Sequence, residues 1–93
     1  MTKNEFRKAI QRKAMSVESY DSNNAWGFGG AYGKLYRLND NVSVLFGTAC
    51  YRHLPPHAMW KVYFKDRANM YADTEQERKE VLAVFKELGI GLE

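Results

Sequence analysis

Two histidines and one cysteine stand close together in the middle of the chain. Cys50, His53 and His57 are three and four residues apart, and a thiolate with two imidazoles is a ligand set that zinc accepts. A structural zinc site needs a fourth ligand, and the sequence offers neither a second cysteine nor a Cys-x-x-Cys pair. Pro55 and Pro56 also separate the two histidines. We therefore predict no metal site and no cofactor.

The same histidines allow a hydrolytic alternative. His53 and His57 as acid and base, with Lys61 stabilising the charge that develops on a phosphate, would make a metal-free ribonuclease. That chemistry requires both imidazoles to converge on one phosphate, and their spacing does not supply the convergence. Cys50 lies in an apolar run typical of an inert, buried thiol. We expect a protein that is not an enzyme and keep the small ribonuclease as an alternative.

Lysine and tyrosine alternate in two predicted strands. Because side chains alternate between the two sides of a strand, each group of three shares one surface. The groups are Tyr32, Lys34 and Tyr36, and Lys61, Tyr63 and Lys65. Tyrosine rings can stack on bases while ammonium groups meet phosphates, so an open sheet side that carries both groups would suit nucleic acid. The alternative is an ordinary solvated sheet side, where such residues are common.

The first predicted helix adds basic side chains. Arg7, Lys8 and Arg12 lie away from its apolar stripe and can extend the binding surface, although such a run also forms an ordinary solvated helix face. Charge is uneven along the whole chain, because residues 1–67 carry eleven basic and five acidic groups and residues 68–93 carry three and six. This asymmetry favours nucleic acid, or a protein that handles nucleic acid, as the partner.

A glycine-rich segment precedes the first predicted strand. It reads Trp-Gly-Phe-Gly-Gly-Ala-Tyr-Gly over residues 26–33. Gly33-Lys34 is followed by Leu35 rather than by serine or threonine, and a strand pattern follows rather than a helix, so the segment does not match a phosphate-binding loop. Glycines in such a place indicate a bend or a close approach of two backbones. A flexible binding loop is the alternative.

Hydrophobic periodicity predicts one helix at each end of the chain, over residues 3–19 and 74–88. The first helix has an apolar stripe made of Phe6, Ile10, Ala14 and Val17. Thr2 and Thr74 precede the two helices, and each is followed three residues later by a glutamate, as in a capping box. The two termini of the fold are therefore predicted to be helical.

Three antiparallel strands are predicted between the helices, over residues 31–38, 42–51 and 59–65. In an alternative prediction with four strands, Trp26–Phe28 forms an additional short strand. Residues 52–57 form a connection, because Pro55 and Pro56 cannot donate to a ladder. Trp60, Val62 and Phe64 are expected to face the core. The predicted fold class is α+β, with a helix, the sheet and a second helix in that order and both helices on one face of the sheet.

Length and composition predict one soluble domain. The chain has 93 residues, 45% of them hydrophobic and 27% charged, with a formal charge of +3, which fits a single domain over residues 1–91. The sequence contains no apolar run of about 20 residues and no signal-peptide pattern, so we expect a cytoplasmic protein without a membrane partner. Leu92-Glu93 is typical of the scar left by an expression tag, and we leave it out of the fold.

These observations predict a small non-enzymatic binding domain that contacts nucleic acid or a nucleic-acid-handling protein. The alternative is a protein–protein interaction module, such as a small inhibitor or an accessory protein of a mobile element, anchored by Trp26, Phe28, Tyr32 and Tyr36. An exposed edge strand would also predict a homodimer. The order of elements is that of double-stranded-RNA-binding domains, but their final helix begins with lysines and this one with carboxylates, so we assign no family.

Overall fold

The computed structural model describes residues 1–21, 30–51 and 54–92. Its elements are α1 (Lys3–Lys13), β1 (Ser16–Asp21), β2 (Gly30–Arg37), β3 (Val42–Tyr51), β4 (Leu54–Phe64), β5 (Met70–Tyr71) and α2 (Glu75–Glu87). The strands form one antiparallel sheet in which each strand pairs with the next along the chain. The predicted α+β class is confirmed. The short strand predicted at Trp26–Phe28 lies outside the described residues.

The first helix is shorter than its apolar spacing predicted. It ends at Lys13, and Ala14 already has an extended backbone with φ −66° and ψ 135°. The Met15 N–H donates to the Arg37 carbonyl at 2.7 Å, and residues 16–21 then pair with β2 over six positions. The strand is favoured because it pairs with the backbone groups along the edge of β2. Val17 remains 52% exposed in it, so burial of this side chain does not decide the outcome. The prediction of helix to Ser19 was wrong.

The described residues contain five strands rather than the three or four that we predicted. Pro55 and Pro56 belong to β4, not to a connection as predicted. The ladder pairs Ala49 with His57 and then Tyr51 with Leu54, with a register shift between Ala49 and Tyr51. The two prolines thus stand where the pairing is irregular, which is where a residue without an N–H is tolerated. The two residues of β5 are too few to show any periodicity.

Both helices contribute to a core on one side of the sheet. The Phe6 ring of α1 lies 6.2 Å from the Phe46 ring and 6.3 Å from the Trp60 ring. On α2, the Phe85 ring lies 6.3 Å from the Phe64 ring. The prediction that Trp60, Val62 and Phe64 of β4 face the core is confirmed, because all three are buried. We call this side of the sheet the helix side and the other the open side.

A buried arginine ties the first residue to the start of α2. Arg78 is only 6% exposed, and its guanidinium donates to the carbonyls of Ala72 (3.2 Å), Asp73 (2.9 Å) and Met1 (3.2 Å). Within the described residues it forms no ion pair, so carbonyl dipoles satisfy its donors. Leu92, which we had left out of the fold, is 5% exposed and belongs to the core.

Two glycines face each other where β2 and β3 come close together. A Cβ atom on Gly33 would lie 2.5 Å from the Gly47 Cα and closer still to the Phe46 carbonyl oxygen, which confirms the predicted close approach at Gly33. The sheet also curves towards its open side. On a flat sheet the Tyr20 and Tyr63 Cα atoms would stand about 19 Å apart, yet their ring centroids are 6.2 Å apart.

Candidate functional site

The two predicted groups of tyrosines and lysines lie on opposite sides of the sheet. Lys34 of β2 pairs with Phe46 of β3, which pairs with Trp60 of β4, so the three side chains lie on the same side of the sheet. The Phe46 and Trp60 rings pack against Phe6 of α1. Lys61 follows Trp60 and therefore lies on the open side. The helix side carries Tyr32, Lys34 and Tyr36, and the open side carries Lys61, Tyr63 and Lys65. The single shared surface that we predicted was wrong, because alternation within one strand does not establish its register with the next.

One lysine and three tyrosines form a cluster on the open side. We call Tyr20, Lys61, Tyr63 and Tyr71 the tyrosine face. The Lys61 Nζ lies 5.2 Å from the Tyr63 ring centroid and 5.5 Å from that of Tyr71, within the range of cation–π interactions. Tyr71 is 47% exposed. The cluster therefore presents a positive charge beside a ring that a ligand can reach.

A hydrogen bond joins two of these tyrosines. The Tyr63 hydroxyl donates to the Tyr20 hydroxyl at 3.4 Å. Burial, and after it this hydrogen bond, raise the pKa of Tyr63 well above its ordinary value. Tyr63 thus remains neutral throughout the physiological pH range and supplies a ring rather than a charge.

Further basic residues flank the tyrosine face. Arg37 and Lys65 are exposed and line a groove of about 130 Å³ beside Tyr63. Asp40 lines the same groove, so the charges there are mixed. Beneath the face, Leu45 has no exposed area, and because the helices lie on the other side, the longer side chains of the open side must cover it. The tyrosine face therefore lies over a small apolar layer that includes Leu45.

A second basic surface runs between α1 and the helix side of the sheet. Arg7 lines two neighbouring hollows of about 310 Å³ each, and we call them together the α1 groove. Its polar lining consists of Lys3, Asn4, Arg7, Gln11, Lys34 and Tyr36. The Lys3 Nζ lies 4.8 Å and the Arg7 Cζ 4.9 Å from the Trp60 ring centroid. The groove is therefore a cationic channel above a buried aromatic floor.

Within the described residues, Lys3, Arg7 and Lys34 form no salt bridge with a carboxylate, although Asp73 lies close enough to Lys3 for the two charges to interact. None of its described lining residues is acidic. Over residues 1–21, 30–51 and 54–92, the ion pairs are those of Arg67 with Asp66 and Glu87. Gln11 donates from Nε2 to the Tyr36 hydroxyl at 3.3 Å, which positions an amide beside the cations. An anionic ligand would therefore not have to displace an existing ion pair of Arg7 or Lys34.

The other predicted binding residues on the helix side do not line this groove. Lys8 and Arg12 are exposed; at about 100° per residue, Lys8 lies about 160° and Arg12 about 120° from the buried Phe6 around the axis of α1. Tyr32 is on the helix side and is 50% exposed. Trp26 and Phe28 lie outside the described residues. Among the predicted basic residues of α1, Arg7 alone lines the groove.

The residues proposed for metal binding or hydrolysis do not form a described site. His53 lies outside the described residues. His57 is exposed on β4, on the open side and four residues before Lys61. Cys50 is half-buried, not fully buried as predicted. In the part of the chain that the structure describes, no three histidine, cysteine, aspartate or glutamate side chains gather as metal ligands would.

A half-buried carboxylate accepts a hydrogen bond from the backbone of β4. Asp73 accepts the Trp60 N–H through Oδ1 at 2.8 Å. Burial raises the pKa of Asp73, and the nearby Glu77 acts in the same direction, while the Trp60 hydrogen bond and the charge of Lys3 oppose them. This carboxylate holds backbone in place beside the α1 groove, and we give it a structural role.

Several residues in and beside the two surfaces were not among the predicted site residues. Tyr20 lies just beyond the predicted helix, which ended at Ser19, and Tyr71 stands in a strand of two residues, too few to show a period. Arg37 was predicted to lie on a strand and was given no binding role. Lys3 had a usable signal, because it stands four residues before Arg7 and so on the same side of α1.

Comparisons of the chain with models of protein families, with curated proteins and with solved structures give no significant match. None of the described helices combines the length and the apolar character needed to cross a membrane. The functional argument therefore depends on the chemistry of the two surfaces.

Proposed function

We propose that this chain is a small binding domain, without catalytic activity, that contacts single-stranded nucleic acid through the tyrosine face. The observation that carries the proposal is the position of Lys61, whose ammonium group lies 5.2 Å and 5.5 Å from the ring centroids of Tyr63 and Tyr71. Bases stack on exposed aromatic rings, and adjacent cations meet the phosphates. Only unpaired bases can stack in this way, which favours single strands over duplexes.

The surrounding charges support the same ligand. Arg37 and Lys65 add positive charge on the open side, beside Asp40, and Tyr63 contributes a neutral phenol ring. The acidic residues concentrate in residues 68–93, which carry six of the eleven in the chain, and most of these belong to α2. Because α2 packs on the helix side of the sheet, its carboxylates are separated from the tyrosine face by the sheet.

Titration of labelled single-stranded DNA and RNA followed by fluorescence anisotropy tests the proposal. Affinity should fall steeply between about 50 and 200 mM salt, because bound counterions are released when the complex forms. Tyr71→Ala should weaken binding by about 1–3 kcal/mol, the typical contribution of one stacked base. Lys61→Gln should weaken binding and reduce the salt slope by about 1.

Lys79→Gln is the matched control, because it removes one exposed positive charge from α2, away from the tyrosine face. Its affinity and salt slope should equal those of the unmodified protein. Absence of binding to every oligonucleotide at about 50 mM salt would refute the proposal.

A second candidate function, pairing with a second copy of the chain, is favoured by the exposure of β1. This strand is at the end of the described sheet, and nearly all of its residues are exposed. Met15 and Val17 are 65% and 52% exposed, which is unusual for apolar side chains beside a free strand edge. We propose antiparallel β1–β1 pairing as the contact. Sedimentation should show a dimer that Val17→Lys dissociates and Val17→Thr preserves, and a monomer at all concentrations would exclude it.

A further inference from the structure

Basic side chains line two separate surfaces of this domain, and the sheet lies between them. Lys34 lines the α1 groove on the helix side, and Lys61 is part of the tyrosine face on the open side. A layer of sheet with its side chains is about 10 Å thick. A ligand segment lying on one surface therefore does not contact the other.

The α1 groove has the chemistry of a site for phosphates rather than for bases. Its cations are Lys3, Arg7 and Lys34, and its described lining contains no carboxylate. The ring beneath them cannot accept a base, because Trp60 is only 4% exposed and already lies under Lys3 and Arg7. A guanidinium held above a ring keeps its in-plane N–H groups for other partners, and these match phosphate oxygens.

The amide side chains of the groove strengthen this assignment. Asn4 and Gln11 line it on the same helix as Arg7, and amide N–H groups are common donors to phosphate oxygens. Each of the two hollows measures about 310 Å³, and Arg7 lines both. One hollow also has Lys3 and Asn4 and the other Gln11 and Lys34, so a phosphate in either would meet a donor.

The tyrosine face differs in kind, because there the rings are accessible. Tyr71 is nearly half exposed beside Lys61, so that surface favours unpaired bases. We infer that the domain binds two nucleic-acid segments at once, with the phosphodiester backbone of one in the α1 groove and the bases of the other on the tyrosine face. This inference rests on the nucleic-acid binding proposed above and adds a bridging activity to it.

The stoichiometry of binding tests the inference. Native mass spectrometry of the full chain with single-stranded oligonucleotides of about eight nucleotides, within the site sizes of small domains, should show two oligonucleotides per chain. A bead-capture assay measures bridging directly. A biotinylated oligonucleotide should retain a second, fluorescent and non-complementary oligonucleotide only when the protein is present.

Two double variants separate the surfaces. Arg7→Gln with Lys34→Gln removes two cations of the α1 groove, and Lys61→Gln with Tyr71→Ala disables the tyrosine face. Each should still bind one oligonucleotide per chain and should lose bridging. Thermal unfolding by circular dichroism checks that each variant folds, and Lys34→Glu, at an exposed position, is the substitute if the groove variant does not.

The outcomes distinguish this inference from the proposed function. One oligonucleotide per chain, with loss of binding in the face variant alone, would overturn bridging and leave the proposed function in place. Loss of all binding in both variants would indicate one continuous site and would also overturn bridging. A complex of two oligonucleotides with two protein chains would show that a dimer does the bridging, and this would overturn the inference. If the unmodified protein binds no oligonucleotide, both proposals are overturned.

Discussion

Tyr63 on β4 donates a hydrogen bond of 3.4 Å to the hydroxyl of Tyr20 on β1, across the two strands that separate them. The bond connects an exposed edge strand to the longest strand of the sheet. It also lies on the side of the sheet where Leu45 is fully buried although no helix covers it. The two tyrosines therefore help to hold the curvature of the open side.

Removal of the Tyr63 hydroxyl should destabilise the fold modestly. Tyr63→Phe deletes the donor of a part-buried hydrogen bond, and such bonds contribute about 0.5–1.5 kcal/mol. The free energy of unfolding, measured with urea, should fall by that amount. Tyr71→Phe is the control, because Tyr71 is 47% exposed and its hydroxyl forms no described hydrogen bond. Equal losses in the two variants would contradict the role of the Tyr20 contact.

The stability that Tyr63 provides should disappear at alkaline pH. Its pKa is raised in the folded state, chiefly by burial, so the folded protein holds the phenolic proton more tightly than the unfolded chain. The stabilisation is complete below the unfolded-state pKa of about 10 and is lost as the pH rises above it. Urea unfolding from pH 8 upwards should therefore show the unmodified protein and Tyr63→Phe converging above about pH 10. A constant difference between them would count against the shift.

Arg78 should be among the most sensitive positions outside the apolar core. Arg78→Met removes the donor of three carbonyls, including that of Met1, and hydrogen bonds from charged donors contribute about 1.5–3 kcal/mol each. We expect a loss of about 2–4 kcal/mol in unfolding free energy. Lys79→Met, at the exposed neighbouring position, should change stability by less than about 0.5 kcal/mol. Comparable effects at the two positions would refute the assignment.

Gly33 should not tolerate a side chain. A Cβ atom there would lie 2.5 Å from the Gly47 Cα, and the obstacle is backbone, which cannot rotate away. Gly33→Ala should therefore reduce the melting temperature strongly, with a loss of about 2–4 kcal/mol. At Gly91 nothing stands within 4 Å of the corresponding position, so Gly91→Ala should melt close to the unmodified protein. A Gly33→Ala variant as stable as Gly91→Ala would show that the two strands can separate.

Asp73 should matter as an acceptor and not as a charge. Because burial raises its pKa in the folded state, ionisation is less favourable there than in the unfolded chain, and this contribution to stability is lost as the pH rises through the folded-state pKa. Asp73→Asn keeps an oxygen for the Trp60 N–H and should be as stable as the unmodified protein at pH 7, or more so. Asp73→Ala should lose about 1–2 kcal/mol in urea unfolding. Equal destabilisation by both substitutions would indicate that the charge is needed.

The starts of the two helices could be predicted because their chemistry is local. The Thr2 hydroxyl accepts the Glu5 N–H at 3.2 Å, and the Glu5 carboxylate accepts the Thr2 N–H at 3.1 Å. Thr74 and Glu77 repeat this arrangement at 3.1 and 2.9 Å. A capping box needs only two residue types three positions apart, so the sequence contains all the information required.

The relation between the strands could not be predicted in the same way. Alternation indicated correctly that Lys34 shares a side with its tyrosine neighbours, but the register with β3 decides which side that is. The register depends on the connection at residues 38–41, where the Asn39 side chain accepts the N–H groups of Asn41 and Val42 at 2.8 and 2.9 Å. A connection one residue longer would shift the pairing and reverse the sides, and composition does not reveal this.

The sheet order also has a consequence for how the chain folds during synthesis. Each strand pairs with the one made just before it, so the sheet can assemble as the polypeptide leaves the ribosome. The first helix cannot pack against the sheet so early. Phe6 cannot pack until Phe46 and Trp60 have emerged, and the Met1 carbonyl remains hydrated until Arg78 replaces the water. A nascent chain without α2 thus holds a paired sheet with an incompletely covered apolar side, which is the kind of surface that chaperones recognise.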